Sequence, residues 1–292
     1  MSGKTKLLGV IGHPIEHSLS PKMHNAAFAG SGQDYAYVAM DVHPEDLREA
    51  VRGLAALGFR GFNVTMPHKE RIIPFLDDVE ETARLAGAVN TVVVEGRSLR
   101  GLNTDGSGFL RACGESGVGF GGKRVLILGA GGAAAAIADS VLGEDVLELG
   151  ISNRSPGRAG GLVARLRRAH PATPIQVYPL SEVDEALNGA EVLINATYLG
   201  MKDEDPLPVP EELLVPGLAV CDAVYRPDVE TRLIRTAQSL GAKVIGGVRM
   251  LLYQGVEAQR AWTGREPDVE AMSQALSGGL PAAGSASRKE QG

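Results

Sequence analysis

Lys69 and Asp105 are the two ionisable residues of this chain that stand among neutral hydrogen-bonding groups in a pattern able to move a proton. Lys69 lies in FNVTMPHKE with Asn63 and Thr65. Asp105 follows Asn103 and Thr104 in GLNTDG, and Asn90 stands in GAVNT. A further pair, Ser18 and Ser20, lies in GHPIEHSLSPKMHN. Hydroxyls, amides, one amine and one carboxylate suit a small polyhydroxylated carboxylic acid. An amine and a carboxylate also supply the proton transfer that interconversion of a hydroxyl and a ketone requires. Each set has a bland reading by itself: NTDG as a turn, TMPHKE as a helix start with an exposed lysine. Beside the dinucleotide-type turn described next, the sets together point to a site.

The stretch ILGAGGAAAAIA places Gly129, Gly131 and Ala134 in G-x-G-x-x-A spacing after an apolar strand and at the opening of a helix. That context gives the pattern its mechanism. Glycine lets the backbone approach a pyrophosphate, and the helix N-terminus stabilises the negative charge. In such sites an acidic residue at the end of the next strand binds a ribose 2′-hydroxyl. Here the strand ends in Asn153-Arg154-Ser155, with Arg158 one turn on, and Glu148 falls at its wrong end. Two guanidiniums and no carboxylate suit a 2′-phosphate, which favours NADP over NAD.

Two other chemistries are suggested by the first motif and fail on context. His13-Pro-Ile-Glu16-His17 fits the H-x-x-E-H pattern of some zinc peptidases. That chemistry needs both histidines on one face of a sustained helix. Pro14 and Pro21 break any such helix, and no third ligand is apparent. Neither serine has the base and orienting group that a nucleophile requires. No metal is expected. What remains is a loop running into a helix N-terminus with two hydroxyls, suited to a carboxylate.

The elements that must position these groups follow from periodicity. Strands are expected at LLGVIG, YAYVAMDV and GFNVT, and a hairpin at TVVVEGRSLRG turning at Glu95-Gly96. SPKMHNAAFAGSG reads as a helix with Ser20 as N-cap and Pro21 at its first position. Another helix begins near Pro44, with Leu47, Val51 and Leu54 on one face. DGSGFLRACGESG reads as a connecting helix. A second unit from about residue 106 repeats strand and helix through KRVLIL, LELGISNRS, EVLINAT, LAVCDAV and AKVIGG, predicting a parallel sheet covered on both faces. VRMLLYQGVEAQRAW reads as a helix with Val248, Leu251, Leu252 and Val256 on its buried side. The composition beyond Ser277 suits a disordered tail.

A chain of 292 residues allows two domains. A net charge of −6 with 4% aromatic residues argues against a nucleic-acid partner. Cys113 and Cys221 are isolated in sequence and read as buried reduced thiols. The start has too short an apolar run for a signal peptide, and no run reaches transmembrane length. A cytoplasmic protein without membrane contact is expected.

In order along residues 9 to 264, GHPIEHSLSPKMHN, FNVTMPHKE, GAVNTV, GLNTDG, GAGGAA, NRSPGR, NATYLGM, and GGVRMLLYQG followed by WTG resemble the shikimate dehydrogenase family. The resemblance implies an α/β fold: an N-terminal α/β substrate domain, a Rossmann-type doubly wound NADP domain, and an active site in the cleft between them. It places residues 1–105 with 247–277 in the substrate domain and 106–246 in the nucleotide domain, leaving 278–292 as the tail. It implies reversible NADP-linked reduction of 3-dehydroshikimate to shikimate; a monomer or homodimer is expected. Ser18 and Ser20 would hold the substrate carboxylate; Thr65, Asn90 and Gln254, with Asn63 and Tyr225, the ring hydroxyls. Lys69 and Asp105 would be the catalytic pair, with the choice of formal acid open. Gly129, Ala130, Gly131, Gly132 and Ala133 would bind the pyrophosphate, and Asn153, Arg154, Ser155 and Arg158 the adenosine phosphate. Asn195, Ala196, Thr197, Gly247 and Met250 would lie near the nicotinamide. Tyr198 and Gln259 depart from the family pattern, which has a small residue after NAT and an aromatic in place of Gln259. Alternatives are a relative acting on quinate or using NAD, and a catalytically silent NADP-binding sensor.

Overall fold

Short, nearly continuous apolar runs such as VLIL, VLI and TVVV build two six-stranded sheets, each buried on both faces. A computed structural model describes residues 1–226 and 229–277. The tail expected from residue 278 lies outside the described residues.

The first part of the chain runs β1 (Lys6–Gly12), α1 (Ser20–Gly30), β2 (Tyr35–Asp41), α2 (Leu47–Ala56), β3 (Gly61–Val64), β4 (Asp78–Val79), α3 (Glu81–Ala86), β5 (Thr91–Glu95), β6 (Ser98–Leu102) and α4 (Asp105–Glu115). Its sheet has the order β2-β1-β3-β5-β6-β4. β1 pairs in parallel with β2 and β3, and the β5–β6 hairpin joins β3 antiparallel. Ile11, Phe62, Val64 and Val92 face α2, whose Leu47, Val51 and Leu54 are buried as expected. Leu8, Val10, Phe28, Tyr37 and Val93 pack on the other face with Trp262.

The second part runs β7 (Arg124–Leu128), α5 (Gly132–Leu142), β8 (Glu148–Ser152), α6 (Pro156–Ala169), β9 (Ile175–Tyr178), α7 (Val183–Leu187), β10 (Val192–Asn195), β11 (Ala219–Asp222), α8 (Arg232–Ser239) and β12 (Lys243–Ile245). These six strands are all parallel in the order β12-β11-β10-β7-β8-β9, a doubly wound sheet. The order reverses between β7 and β10, the place where such sheets open a crevice at their carboxyl ends. Val125 and Ile127 face one helical layer, and Leu126 and Leu128 the other.

The chain closes with α9 (Gly247–Thr263) and α10 (Val269–Ser277), which return to the first sheet. The Trp262 indole donates to the Val92 carbonyl at 2.9 Å. α4 and α9 approach so closely that a Cβ at Gly108 would run into the backbone of Gln254.

Several expectations need correction. Ser20 is the first helical residue, not the N-cap. Leu19 holds the cap position and no side chain caps the helix, so the Ser20 hydroxyl is turned inward and buried. α2 starts at Leu47, because residues 44–46 are spent in a turn. α9 is buried nearly all round, since it runs between the two sheets, and Val248 is only half-buried. The short elements β4, α3, β9, α7 and α10 carry little periodic signal, whereas α8 was missed although Leu233, Ile234 and Ala237 mark one face at helical spacing. β8, β10, β11 and β12 stop short of Asn153, Ala196, Ala223 and Gly246, because those residues leave the ladder to form the loops at the crevice.

Candidate active site

The loop after β3 and the first turn of α4 bring Lys69 and Asp105 together. Lys69 Nζ donates to Asp105 Oδ2 at 2.6 Å. The carboxylate is 6% exposed and the lysine side chain 23%, so the pair is sheltered with the ammonium on the open side. The second carboxylate oxygen, Oδ1, accepts from Asn90 Nδ2 at 2.8 Å. Asn103 fixes the helix start: its Oδ1 accepts from the Asp105 amide at 3.0 Å and its Nδ2 donates to the Ala88 carbonyl at 2.8 Å.

Asn90 is the hub of the first-sheet side. Its Oδ1 accepts from the Thr104 amide (2.9 Å) and the Thr91 hydroxyl (2.9 Å), and its Nδ2 reaches Gln254 Oε1 at 3.4 Å. Asn63 on β3 donates to the Asn90 carbonyl (3.1 Å) and to Thr91 Oγ1 (3.0 Å), and accepts from the Tyr37 hydroxyl at 2.6 Å. Burial pushes the Tyr37 phenol well above its ordinary range; the nearby Ser20 hydroxyl opposes the rise, and electrostatic repulsion from the Tyr225 phenolate would add to it. Tyr225, carried on the loop after β11, therefore reaches the same neighbourhood, and burial raises its own phenol too. Ser18 Oγ accepts from the Ser20 amide at 3.4 Å, and the Ser20 side chain is buried. Thr65 is tied through its amide to the Ile11 carbonyl at 2.9 Å.

The nucleotide turn abuts this cluster. A Cβ at Gly132 would lie 2.6 Å from the Ala88 Cβ and 3.8 Å from the Lys69 Cβ. Gly129 has φ +114°, and a Cβ there would lie 2.7 Å from the Ala196 carbonyl oxygen, so only glycine suits the turn. Around Gly131, the N-cap of α5, nothing lies within 4 Å of a Cβ position, and no side chain caps the helix. Its first amides are thus open to an anion, and Gly129, Ala130, Gly131, Gly132 and Ala133 form a cradle that fits a dinucleotide pyrophosphate.

After β8, Asn153 Nδ2 donates to the Ser155 carbonyl at 3.0 Å, shaping the loop that exposes Arg154. Ser155 is the N-cap of α6 and leaves it without a side-chain cap. Arg158 lies 3.3 Å from Glu70, the neighbour of Lys69. Asn195 accepts from the Thr197 amide (3.1 Å) and hydroxyl (2.7 Å), and Ala196 is held by the Leu128 carbonyl at 2.8 Å. Gly247 opens α9 against the Val224 carbonyl, where no Cβ fits, and Met250 is buried one turn on.

Tyr198 is 63% exposed and leaves the local turn undisturbed. Gln259 forms a buried hydrogen bond: its Oε1 lies 3.2 Å from His24 Nδ1. His24 stacks on Tyr37 with ring centroids 4.4 Å apart, and burial pushes it down to about 4. HPIEH is a loop between β1 and α1, in which His13 Nδ1 pairs with Asp41 Oδ1 at 2.9 Å. Among the described residues no group of three His, Cys, Asp or Glu side chains is gathered to hold a metal. Tyr37, Thr91, His24 and Asp222 were not singled out from the sequence. Tyr37 and Thr91 read as ordinary strand residues.

Comparison with known proteins identifies the family of the chain. Residues 10–92 match the shikimate dehydrogenase substrate binding domain, 114–201 the shikimate / quinate 5-dehydrogenase model, and 247–276 the shikimate 5′-dehydrogenase C-terminal domain. The shikimate dehydrogenase (NADP(+)) of Rubrobacter xylanophilus is 60% identical, over 95% of this chain and 98% of that protein. A crystal structure of a shikimate dehydrogenase in complex with NADP+ superposes with a TM-score of 0.87 at 40% identity, covering 94% of this chain and 96% of the other. The shikimate 5-dehydrogenase of Thermus thermophilus in complex with NADP(H) and shikimate superposes with a TM-score of 0.82 at 38% identity, covering 93% and 98%. With the paired sheets, the glycine turn and the sheltered lysine–aspartate pair in place, the chain belongs to the shikimate dehydrogenase family.

Proposed function

We propose that this chain is an NADP-linked oxidoreductase that reversibly reduces 3-dehydroshikimate to shikimate, a step of the shikimate pathway of aromatic amino acid biosynthesis. The observation that carries the reading is the Lys69–Asp105 pair, 2.6 Å apart and set beside Gly132 of the nucleotide cradle. The chemistry that NADPH supplies when bound is a hydride for the ring ketone carbon.

The chain's own groups do the rest. Ser18 and Ser20 hold the substrate carboxylate as neutral donors near the start of α1. Thr65, Asn90 and Gln254, with Asn63 and Tyr225, orient the ring hydroxyls. Lys69 Nζ, the donor of the pair, faces the ketone oxygen and stabilises the negative charge that develops there. Such a preorganised charge acts strongly where water is excluded. Asp105 keeps the ammonium aimed, and Asn90 holds the far carboxylate oxygen so that the pair cannot rotate. Residues 129–133 hold the pyrophosphate, and Asn153, Arg154, Ser155 and Arg158 the 2′-phosphate side. Asn195, Ala196, Thr197, Gly247 and Met250 line the nicotinamide side.

In this reading residues 1–105 with 247–277 form the substrate domain and 106–246 the nucleotide domain, supported by the return of α9 to Val92. The enzyme works in the cytoplasm as a monomer or homodimer; among the described residues no helix is long and apolar enough to cross a membrane. Reduction of NADP+ and NAD+ should be assayed with shikimate and with quinate. Shikimate with NADP+ is expected to give the highest kcat/KM. Preference for quinate, or equal use of NAD+, would overturn the substrate or cofactor assignment, and no turnover with any pair would leave a silent binder.

A further inference from the structure

Asp222, the last residue of β11, is 2% exposed and carries no counter-ion among the described residues. Its carboxylate accepts three hydrogen bonds from three different segments. Asn195 Nδ2 at the end of β10 donates to Oδ1 at 2.9 Å, the Val224 amide donates to Oδ1 at 3.0 Å, and the Thr231 hydroxyl donates to Oδ2 at 2.5 Å. A buried, unpaired carboxylate is unfavourable unless its hydrogen bonds compensate.

Each donor leads to a part of the site. Asn195 also donates to the Leu199 carbonyl at 3.1 Å, and Thr197 Oγ1 in turn accepts from the Leu199 amide at 3.1 Å, so the whole 195–199 turn hangs on this side chain. Val224 presents its carbonyl to Gly247 and is followed by Tyr225. Thr231 is the N-cap of α8 and accepts from the Ile234 amide. Asp222 thus stands at the junction of the nicotinamide-side turn and the segment that delivers Tyr225 to the substrate side.

We propose that Asp222 is a positioning residue for the reaction: by accepting from Asn195, Val224 and Thr231, its carboxylate holds the turn of Thr197 and the segment of Tyr225 in one fixed relation. The proposal rests on the functional reading above, in which those two segments face cofactor and substrate. Burial raises this carboxyl to about 6, against the opposing pull of its Thr231, Val224 and Asn195 donors. Among the described residues the groups facing it are neutral: Asn195 from β10, Thr231 from α8, and on its own strand the Cys221 thiol, kept protonated by its contact with Cys113 and by burial. Protonation therefore turns an acceptor into a donor at one oxygen without a neighbouring charge to mask the change.

The test compares wild type with Asp222→Asn and Thr231→Val. Asparagine keeps an oxygen for Asn195 and Val224 and places an NH2 where Oδ2 faced Thr231, mimicking the protonated state. Asp222→Asn is expected to fold, to bind NADP+ about fivefold more weakly by calorimetry, the worth of about one hydrogen bond, and to raise KM for shikimate more than it lowers kcat. Its kcat/KM profile should lose an acid limb that wild type shows near pH 6. Thr231→Val should move that limb to higher pH, because one donor to the carboxylate is gone. Unchanged NADP+ affinity in Asp222→Asn, or an acid limb that stays in place in both variants, would overturn the proposal. A wild type that binds NADP+ but turns over no shikimate would sink the functional reading instead, and the calorimetric comparison would still decide the role of Asp222.

Discussion

Asn90 donates to the Asp105 carboxylate at 2.8 Å from the side opposite Lys69, which donates at 2.6 Å, so the carboxylate is held between an amide and an ammonium. The amide fixes the acid and the acid fixes the amine. A substrate placed over Lys69 meets a donor whose direction is set before binding.

Lys69→Ala is expected to lower kcat by about a hundredfold or more, the usual scale for removing a general acid–base group, with a smaller change in KM. Steady-state kinetics with shikimate and NADP+ would check it, and a near-normal kcat would remove Lys69 from the chemistry.

Asn90→Ala acts on both activity and folding. It strips a partner from the buried Thr104 amide and from Asp105. Leaving such groups unpaired costs about 1–3 kcal/mol. At about 2–4 °C per kcal/mol for a chain of this size, the midpoint of thermal unfolding should drop by several degrees, together with kcat. An unchanged midpoint would mean that the network relaxes around the loss.

Arg154 lies exposed on the loop after β8. Arg154→Ala is expected to weaken NADPH by more than about tenfold, the worth of a charge-assisted hydrogen bond, and NADH much less. Equal losses for the two cofactors, measured by titration, would show that no 2′-phosphate is bound there.

Two buried groups make opposite contributions to stability against pH. His24 is depressed from 6.5 to about 4, so its contribution is present above pH 6.5 and is lost as pH falls through 4. Asp222 is raised from 3.8 to about 6, so its contribution is present below pH 3.8 and is lost as pH rises through 6. Each is worth on the order of 3 kcal/mol, and between about pH 4 and 6.5 they largely cancel. Asp222→Asn removes one of them. Its melting temperature relative to wild type should therefore climb between pH 4 and 7, while His24→Phe should show the reverse trend. Parallel curves for wild type and both variants would contradict the assignment.

Much of this site was legible because its signals are local. Short continuous apolar runs mark β1 and β7 as strands buried on both faces, and one glycine pattern after a strand marks a phosphate cradle. Polar residues at strand ends, such as Asn63, Asn90 and Asn195, announce positions where the chain leaves the ladder. The absence of an acidic residue after LGIS and the presence of Arg154 and Arg158 already spoke for the phosphorylated cofactor. Ser20 was misread as a cap because the serine–proline pattern is equally compatible with a helix that starts one residue earlier, and only packing against Tyr37 decides between them.

By itself, then, the sequence determined which groups are available and which elements carry them. Tertiary structure alone decided which groups meet. Lys69 finds Asp105 across 36 residues of sequence, and Asn90 reaches Gln254 across 164. Asp222 becomes a hub only when β10, β11 and α8 lie side by side. Local pattern is set by backbone sterics and burial over a few residues, whereas these encounters depend on strand order and on close approaches such as Gly132 against Ala88, which no short stretch encodes.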